Sequence, residues 1–406
     1  MKSRTLNFTI VICFLIALIE GIDIQAIGVA AASIKQHFAL DSAQLGLLFS
    51  IGIFGLLPGT VIGGYYADKI GRKKVLIAAV LLFAVFTLAI VFVQNFIGLL
   101  MVRFLAGLGF GAALPNLIAL ASESSSAENK GKAVGMMYCG MPIGAILISL
   151  WAAMDSSENW KLIFYVGGII PLIIVPFMIK YLSESKEYNQ VKKNTQTVNY
   201  ARALFNDRQR LRTFLLWGGC FFTAMVLYIM LSWLPSLFVE LGFTKQQGSM
   251  AQVYFQTGAT IGTLLFTGLI DKWNKSAVIA IVYIGILIGI VFMNVAPTLM
   301  IMYVAAAFTG FFLIGSNGVS YAFSSFVYPT EHRGQGVGAA NAVGRVGAMV
   351  GPAIAGLILN TGGGTSGVLL SMFPCIVIAL LCMFVLARKI ETKSAFNFEK
   401  NFSKIE

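Results

Sequence analysis

Charge is what this sequence has least of. Only 11% of its 406 residues are Asp, Glu, Lys or Arg, against about 25% in soluble domains. A surface facing water on all sides needs more than that, so a soluble globular protein is excluded. Histidine is nearly missing: His37 and His332 are the two, far apart in the chain. The five cysteines, Cys13, Cys139, Cys220, Cys375 and Cys382, all fall in apolar segments and never at CxxC spacing. Neither a disulfide framework nor a metal centre is implied. No catalytic motif is present, so no enzyme chemistry and no cofactor are expected.

In place of charge there are apolar runs. Hydrophobic residues make up 58% of the chain and the mean hydropathy is +0.83. The runs are about 20 residues long, the length that crosses a bilayer as a helix. They are apolar throughout rather than alternating, which excludes an outer-membrane barrel. Twelve spans are expected, at about 8–31, 44–66, 74–94, 96–121, 133–153, 161–182, 213–239, 248–271, 276–295, 297–326, 334–359 and 366–388. The N-terminal Met1-Lys2-Ser3-Arg4 resembles the start of a signal peptide. The run behind it is too long, contains acids and lacks a cleavage site, so it stays as the first span.

The formal net charge of +12 does not indicate nucleic acid, because the cations are segregated. Lys35, Lys161 and Lys245 fall at one set of helix ends, Arg103 and Arg345 fall inside apolar runs, and the remaining Lys and Arg gather at the opposite ends and the termini. Such asymmetry is the positive-inside pattern. Both termini of this multi-pass protein are therefore expected in the cytoplasm. The expected divisions are a six-helix bundle over 1–182, a cytoplasmic linker over 183–212, a second bundle over 213–388, and a solvated, partly disordered tail over 389–406.

The two halves repeat. A shift of 203 positions superposes Asp68-Lys69 on Asp271-Lys272, Gly107 on Gly310, Gly131 on Gly334, Val134-Gly135 on Val337-Gly338, and Gly144-Ala145 on Gly347-Ala348. Six helices per repeat give both halves one orientation, the parallel repeat of a two-bundle transporter. The fold class is therefore an all-α integral membrane protein, twelve transmembrane helices in two six-helix bundles.

Charges inside the membrane are the functional candidates by default. Glu20 and Asp23 lie three residues apart on one face of the first span, Glu20 about 20 Å into the helix at a rise of roughly 1.5 Å per residue. Arg103, in Arg103-Phe104-Leu105-Ala106-Gly107-Leu108-Gly109-Phe110-Gly111, needs an acceptor, and Glu20 or Asp23 is the candidate. Arg345 is about 16 Å into the eleventh span by the same rise and has no acid near it in sequence. A guanidinium so placed suits a carboxylate, which it can hold with two parallel hydrogen bonds.

Between the second and third spans stands Gly63-Gly64-Tyr65-Tyr66-Ala67-Asp68-Lys69-Ile70-Gly71-Arg72-Lys73-Lys74, with an echo at Gly268-Leu269-Ile270-Asp271-Lys272. The stretch resembles the GGxxADRxGRRK loop of the major facilitator superfamily, and Arg103 with its glycines resembles that family's RxxxGxGxG. Glu20-Gly21-Ile22-Asp23 is similar to the DGxD of the aromatic acid:proton symporter family, with Glu20 keeping the charge of the first Asp. The stretches from Glu20, Gly111, Met136 and Gly344 resemble the 3-(3-hydroxyphenyl)propionate transporters within it. Gly140-Met141-Pro142-Ile143-Gly144-Ala145 departs from the antiporter motif GPxxGG at Met141 and Ala145, and Ser183-Glu184-Ser185 resembles a PESP-like ending.

The resemblance implies the major facilitator fold and proton symport of a small aromatic acid by alternating access. Glu20 and Asp23 would couple protons. Gly64, Asp68, Gly71, Arg72, Glu123, Asp271, Glu331 and Arg333 would belong to the gating loops. Arg345 and Arg103 would serve the substrate, with Asn116, Tyr138, Tyr228, Trp233, Tyr254, Gln256, Asn317 and Tyr321 as further candidates lining its path. The expected partners are an aromatic acid, protons and the lipid bilayer, with no nucleic acid and no metal, in a monomer. The alternatives are a proton-coupled drug exporter, which the broken antiporter motif disfavours, and a non-transporting sensor of aromatic acids.

Overall fold

In lipid no water is available to the backbone, so each apolar run must close its hydrogen bonds within itself as a helix. The computed structural model describes residues 2–125, 129–155, 159–184, 210–269, 273–296, 298–328 and 333–402, and these are helical almost throughout. The first half comprises α1 (Lys2–His37), α2 (Ser42–Ile70), α3 (Arg72–Ala89), α4 (Phe96–Glu123), α5 (Lys130–Tyr138), α6 (Gly140–Met154) and α7 (Lys161–Tyr181). The second comprises α8 (Arg210–Glu240), α9 (Lys245–Leu269), α10 (Lys275–Val295), α11 (Leu299–Val327), α12 (Arg333–Asn360) and α13 (Gly364–Phe402). Eleven spans, α5 and α6 counting as one, are long and apolar enough to cross a membrane. The twelfth, α9, is 25 residues long but interrupted by Gln, Thr, Ser and Gly.

Helix starts follow local chemistry. The Asp41 side chain accepts the N–H of Gln44 while the Gln44 side chain accepts the N–H of Asp41, a reciprocal cap on α2. Asn95, Asn274 and Thr298 cap α4, α10 and α11 by the same kind of bond. Two ends differ from expectation. The span expected over 133–153 is broken at Cys139, because Pro142 has no N–H for the Tyr138 carbonyl and its ring crowds that oxygen. The last helix runs on to Phe402 through the expected tail, where no Pro or Gly interrupts the run.

The helices separate into two compact units. The first contains the described residues of 1–197 with 231–253 and 352–360, and the second contains those of 198–230, 254–351 and 361–406. Within the first, α2 and α4 approach so closely that a Cβ on Gly55 would strike the Phe104 carbonyl, on Gly59 that of Leu108, and on Gly107 that of Gly52. Within the second, a Cβ on Gly258 would strike the Ala307 carbonyl, on Gly262 that of Phe311, and on Gly310 that of Phe255. Every one of these residues is related to its counterpart by 203 positions. The relation extends to α1 against α6 and α8 against α12, where Gly144 meets the Leu18 carbonyl and Gly347 that of Phe221. The repeat is therefore a repeat of backbone contacts that only glycine permits.

Candidate functional site

The membrane charges of the first unit meet where α1, α3 and α4 pack. Asp23 on α1 accepts 2.9 Å from Arg103 Nη1 at Oδ2 and 3.0 Å from the Thr87 hydroxyl at Oδ1. Asp23 is 1% exposed and Arg103 6%. Glycine makes the room: the Arg103 guanidinium lies over Gly52, whose absent Cβ would stand 3.4 Å from Nη2. Glu20, one turn earlier on α1, is 2% exposed. Of the two acids offered by sequence, Asp23 is the one that holds Arg103. Thr87 was not among the candidates. Its only signal in the sequence is a hydroxyl within the apolar run of α3.

The duplicated scaffold does not duplicate these charges. Shifted by 203, Asp23, Thr87 and Arg103 become Val226, Ile290 and Ala306, and Glu20 becomes Thr223, whose hydroxyl is 2.8 Å from the buried Tyr283 hydroxyl. Conversely Arg345, half-buried on α12 two residues before Gly347, replaces Pro142. The Asp23–Arg103 pair belongs to one half and Arg345 to the other.

The remaining candidates are placed variously. Asn116 is buried, and its Nδ2 donates 2.8 Å to the Ala112 carbonyl one turn back on α4. Trp233 is fully buried, donates Nε1 to the Pro352 carbonyl at 3.0 Å and meets Phe49 edge-on, all within the first unit. Tyr254 stacks on Tyr303 with ring centroids 4.9 Å apart. Gln256 is buried, Tyr228 and Asn317 half-buried and Tyr138 exposed. The side chain of Tyr321 lies outside the described residues.

At the Lys- and Arg-rich end, Gly71 joins α2 to α3 with φ +102, a backbone that an L side chain rarely adopts. Arg72 then pairs with Glu123 at the end of α4, while Asp68 is exposed and Gly64 has open space around its Cα. Glu184 accepts the N–H of Lys73 at 3.0 Å, a carboxylate set on the positive end of α3. Glu391 does the same for α10, accepting from Ser276 N at 3.1 Å and from its hydroxyl at 2.6 Å. Lys73 and Ser276 are again 203 apart. Glu391 was missed because it does not itself align with Glu184. Asp271 and Glu331, and the side chain of Arg333, lie outside the described residues.

Two residues beyond Asp23 on α1, two buried glutamines join α1 to α9 within the first unit. Gln252 donates 2.9 Å to Gln25 Oε1, and Gln25 donates 3.2 Å to the Leu231 carbonyl.

The comparisons agree with this architecture. The model of the Major Facilitator Superfamily matches residues 13–299 and 237–406. The chain is 42% identical to the 3-(3-hydroxyphenyl)propionate transporter of Escherichia coli (strain K12), over 95% of each chain. It is 32% identical to the gallate transporter of Pseudomonas putida, over 87% of this chain and 85% of that one. A crystal structure of a bacterial homologue of the human lysosomal transporter Spinster shares the fold with a TM-score of 0.79 at 18% identity, over 95% of this chain and 97% of that one. The chain thus belongs to the Major Facilitator Superfamily, as a membrane transporter and not an enzyme.

Proposed function

We propose that the protein imports a small aromatic carboxylate, a hydroxyphenylpropionate or hydroxybenzoate, by symport with protons across a bacterial inner membrane. The observation that carries the reading is the buried Asp23–Arg103 pair, braced by Thr87, in a chain whose relatives carry aromatic acids. Burying two ions costs several kcal/mol each before their attraction is counted. A pair kept there at such cost, in one half only, suits a part that changes state during the cycle. A proton arriving on Asp23 neutralises the acceptor and releases Arg103, with Glu20 one turn away as a second acidic position. Arg345 would take the substrate carboxylate bidentately. A loaded carrier then bears less net charge than its ions separately, which eases passage through an apolar environment. In this reading 1–182 and 213–388 are the two moving bundles, and both termini face the cytoplasm.

The test is uptake into proteoliposomes across hydroxybenzoates, phenylpropionates and aliphatic acids, with and without an inward proton gradient. Gradient-dependent uptake of aromatic acids is expected, lost in Asp23→Asn. Carriage of aliphatic acids alone would overturn the substrate class, and gradient-driven uptake unchanged in Asp23→Asn would overturn the coupling.

A further inference from the structure

Lys35, Lys161 and Lys245 are the cations that the sequence leaves at the cation-poor end, and two of them line one cavity. An open cavity of about 440 Å³ is bounded by Ser33, Gln36 and His37 of α1, Asn159, Trp160 and Lys161 at the start of α7, and Lys245 at the start of α9. All of it lies within the first compact unit.

The wall is aromatic and fixed. Trp160 is 8% exposed, packs 5.6 Å from the His37 ring and 5.7 Å from that of Phe164, and has the Lys161 ammonium 5.9 Å from its centroid. Lys161 and Lys245 each open a helix, so the positive ends of α7 and α9 add to the two ammonium charges. Asp155 is brought near Lys245 by the bond from Gln246 Nε2 to its carbonyl, 3.3 Å, but does not line the cavity. Lys35 is turned elsewhere, donating 2.9 Å to the Ser42 hydroxyl. Two lysines, an indole and amide and hydroxyl donors bound one cavity, a set of groups that suits an anion carried on a flat ring.

We infer that this cavity is a loading site for aromatic carboxylates, separate from the Asp23–Arg103 and Arg345 positions. It holds the carboxylate between Lys161 and Lys245 and the ring against Trp160, and raises the local concentration of substrate at the outer mouth. The inference rests on the proposed function for its substrate class. Its attraction is long-range and partly exposed, so it fades as ionic strength rises and the screening length falls from about 30 Å at 0.01 M to about 8 Å at 0.15 M.

The experiment compares wild type with Lys161→Gln, Lys245→Gln and the double variant in proteoliposomes at low and high salt, with Lys35→Gln as the control that removes the same single charge as either single variant at the same end. The double variant should raise the half-saturating concentration of an aromatic acid about three- to tenfold at low salt, and the difference should shrink at high salt, while Lys35→Gln leaves it unchanged. Lys161→Arg/Lys245→Arg should restore it. Equal half-saturation in the double variant and wild type, or a rise in Lys35→Gln equal to that in either single variant, overturns the loading site while leaving aromatic transport intact. Should the wild type carry no aromatic acid, the functional reading fails by itself. Benzoate titration then decides the cavity: quenching of tryptophan emission that is lost in Trp160→Phe supports it, and quenching unchanged in that variant overturns it.

Discussion

Asp23 accepts from a guanidinium on one oxygen and a hydroxyl on the other, so its loss has two separable consequences. Removing the carboxylate leaves a buried Arg103 charge without its partner, and breaking such a pair costs about 3–5 kcal/mol. Asp23→Asn should therefore lower thermal stability in detergent as well as abolish gradient-driven uptake. Asp23→Asn/Arg103→Gln should regain most of the stability, since neither charge remains, yet stay uncoupled. Thr87→Val removes a single neutral donor; a loss of about 1 kcal/mol is expected, read as a small fall in Tm with uptake retained. That the two acids and Arg103 matter was legible in the sequence, because ions in an apolar run are conspicuous. Which acid takes the guanidinium was not. The rotation of α1 depends on contacts such as that of Gly21 with the Met141 carbonyl of α6, whose partner lies far away in the chain.

At the scale of the helix, contact depends on missing side chains. A bulky residue at Gly107 or Gly144 would have to displace a backbone carbonyl rather than a side chain, and overpacking of that kind costs about 1–3 kcal/mol or more. Gly144→Leu should reduce folded yield and Tm. Gly347→Leu should do so to a similar degree, because it meets the Phe221 carbonyl as Gly144 meets that of Leu18. Gly64→Ala, with open space around it, should be tolerated; a thermal-shift series over the three variants checks the ranking. The glutamine pair gives a further test. Gln25 and Gln252 are both wholly buried, so replacing one by Leu strands its neighbour's polar group, whereas replacing both should be milder than the sum. A double-mutant cycle should return a coupling of about 0.5–1.5 kcal/mol. Element ends were mostly readable from Asp41, Asn95, Asn274 and Thr298. The break at Cys139 could have been read from Pro142, but the apolar run on either side of it masks the interruption.

For the molecule as a whole, the segregation of Lys and Arg predicts topology. Fluorescent-protein fusions at residue 1 and residue 406 should both fold and emit, since both ends are expected in the cytoplasm; a dark, exported fusion at either end would reverse the orientation. What the amino-acid sequence determined by itself is the set of helices and the relation between them. Apolar length dictates spans because the bilayer leaves the backbone no other partner, and an offset of 203 positions survives in both halves because the same glycines meet the same carbonyls. What only the tertiary structure decided is every contact that joins residues of different helices without a periodic trace. These are Asp23 with Arg103, Glu184 and Glu391 on the starts of α3 and α10, Gln25 with Gln252, and the meeting of Lys161, Trp160 and Lys245 at one cavity. Hydropathy is a property of the segment and is written locally. A polar contact between helices depends on the rotation and depth of each one, and those are set by packing against neighbours far away in the chain.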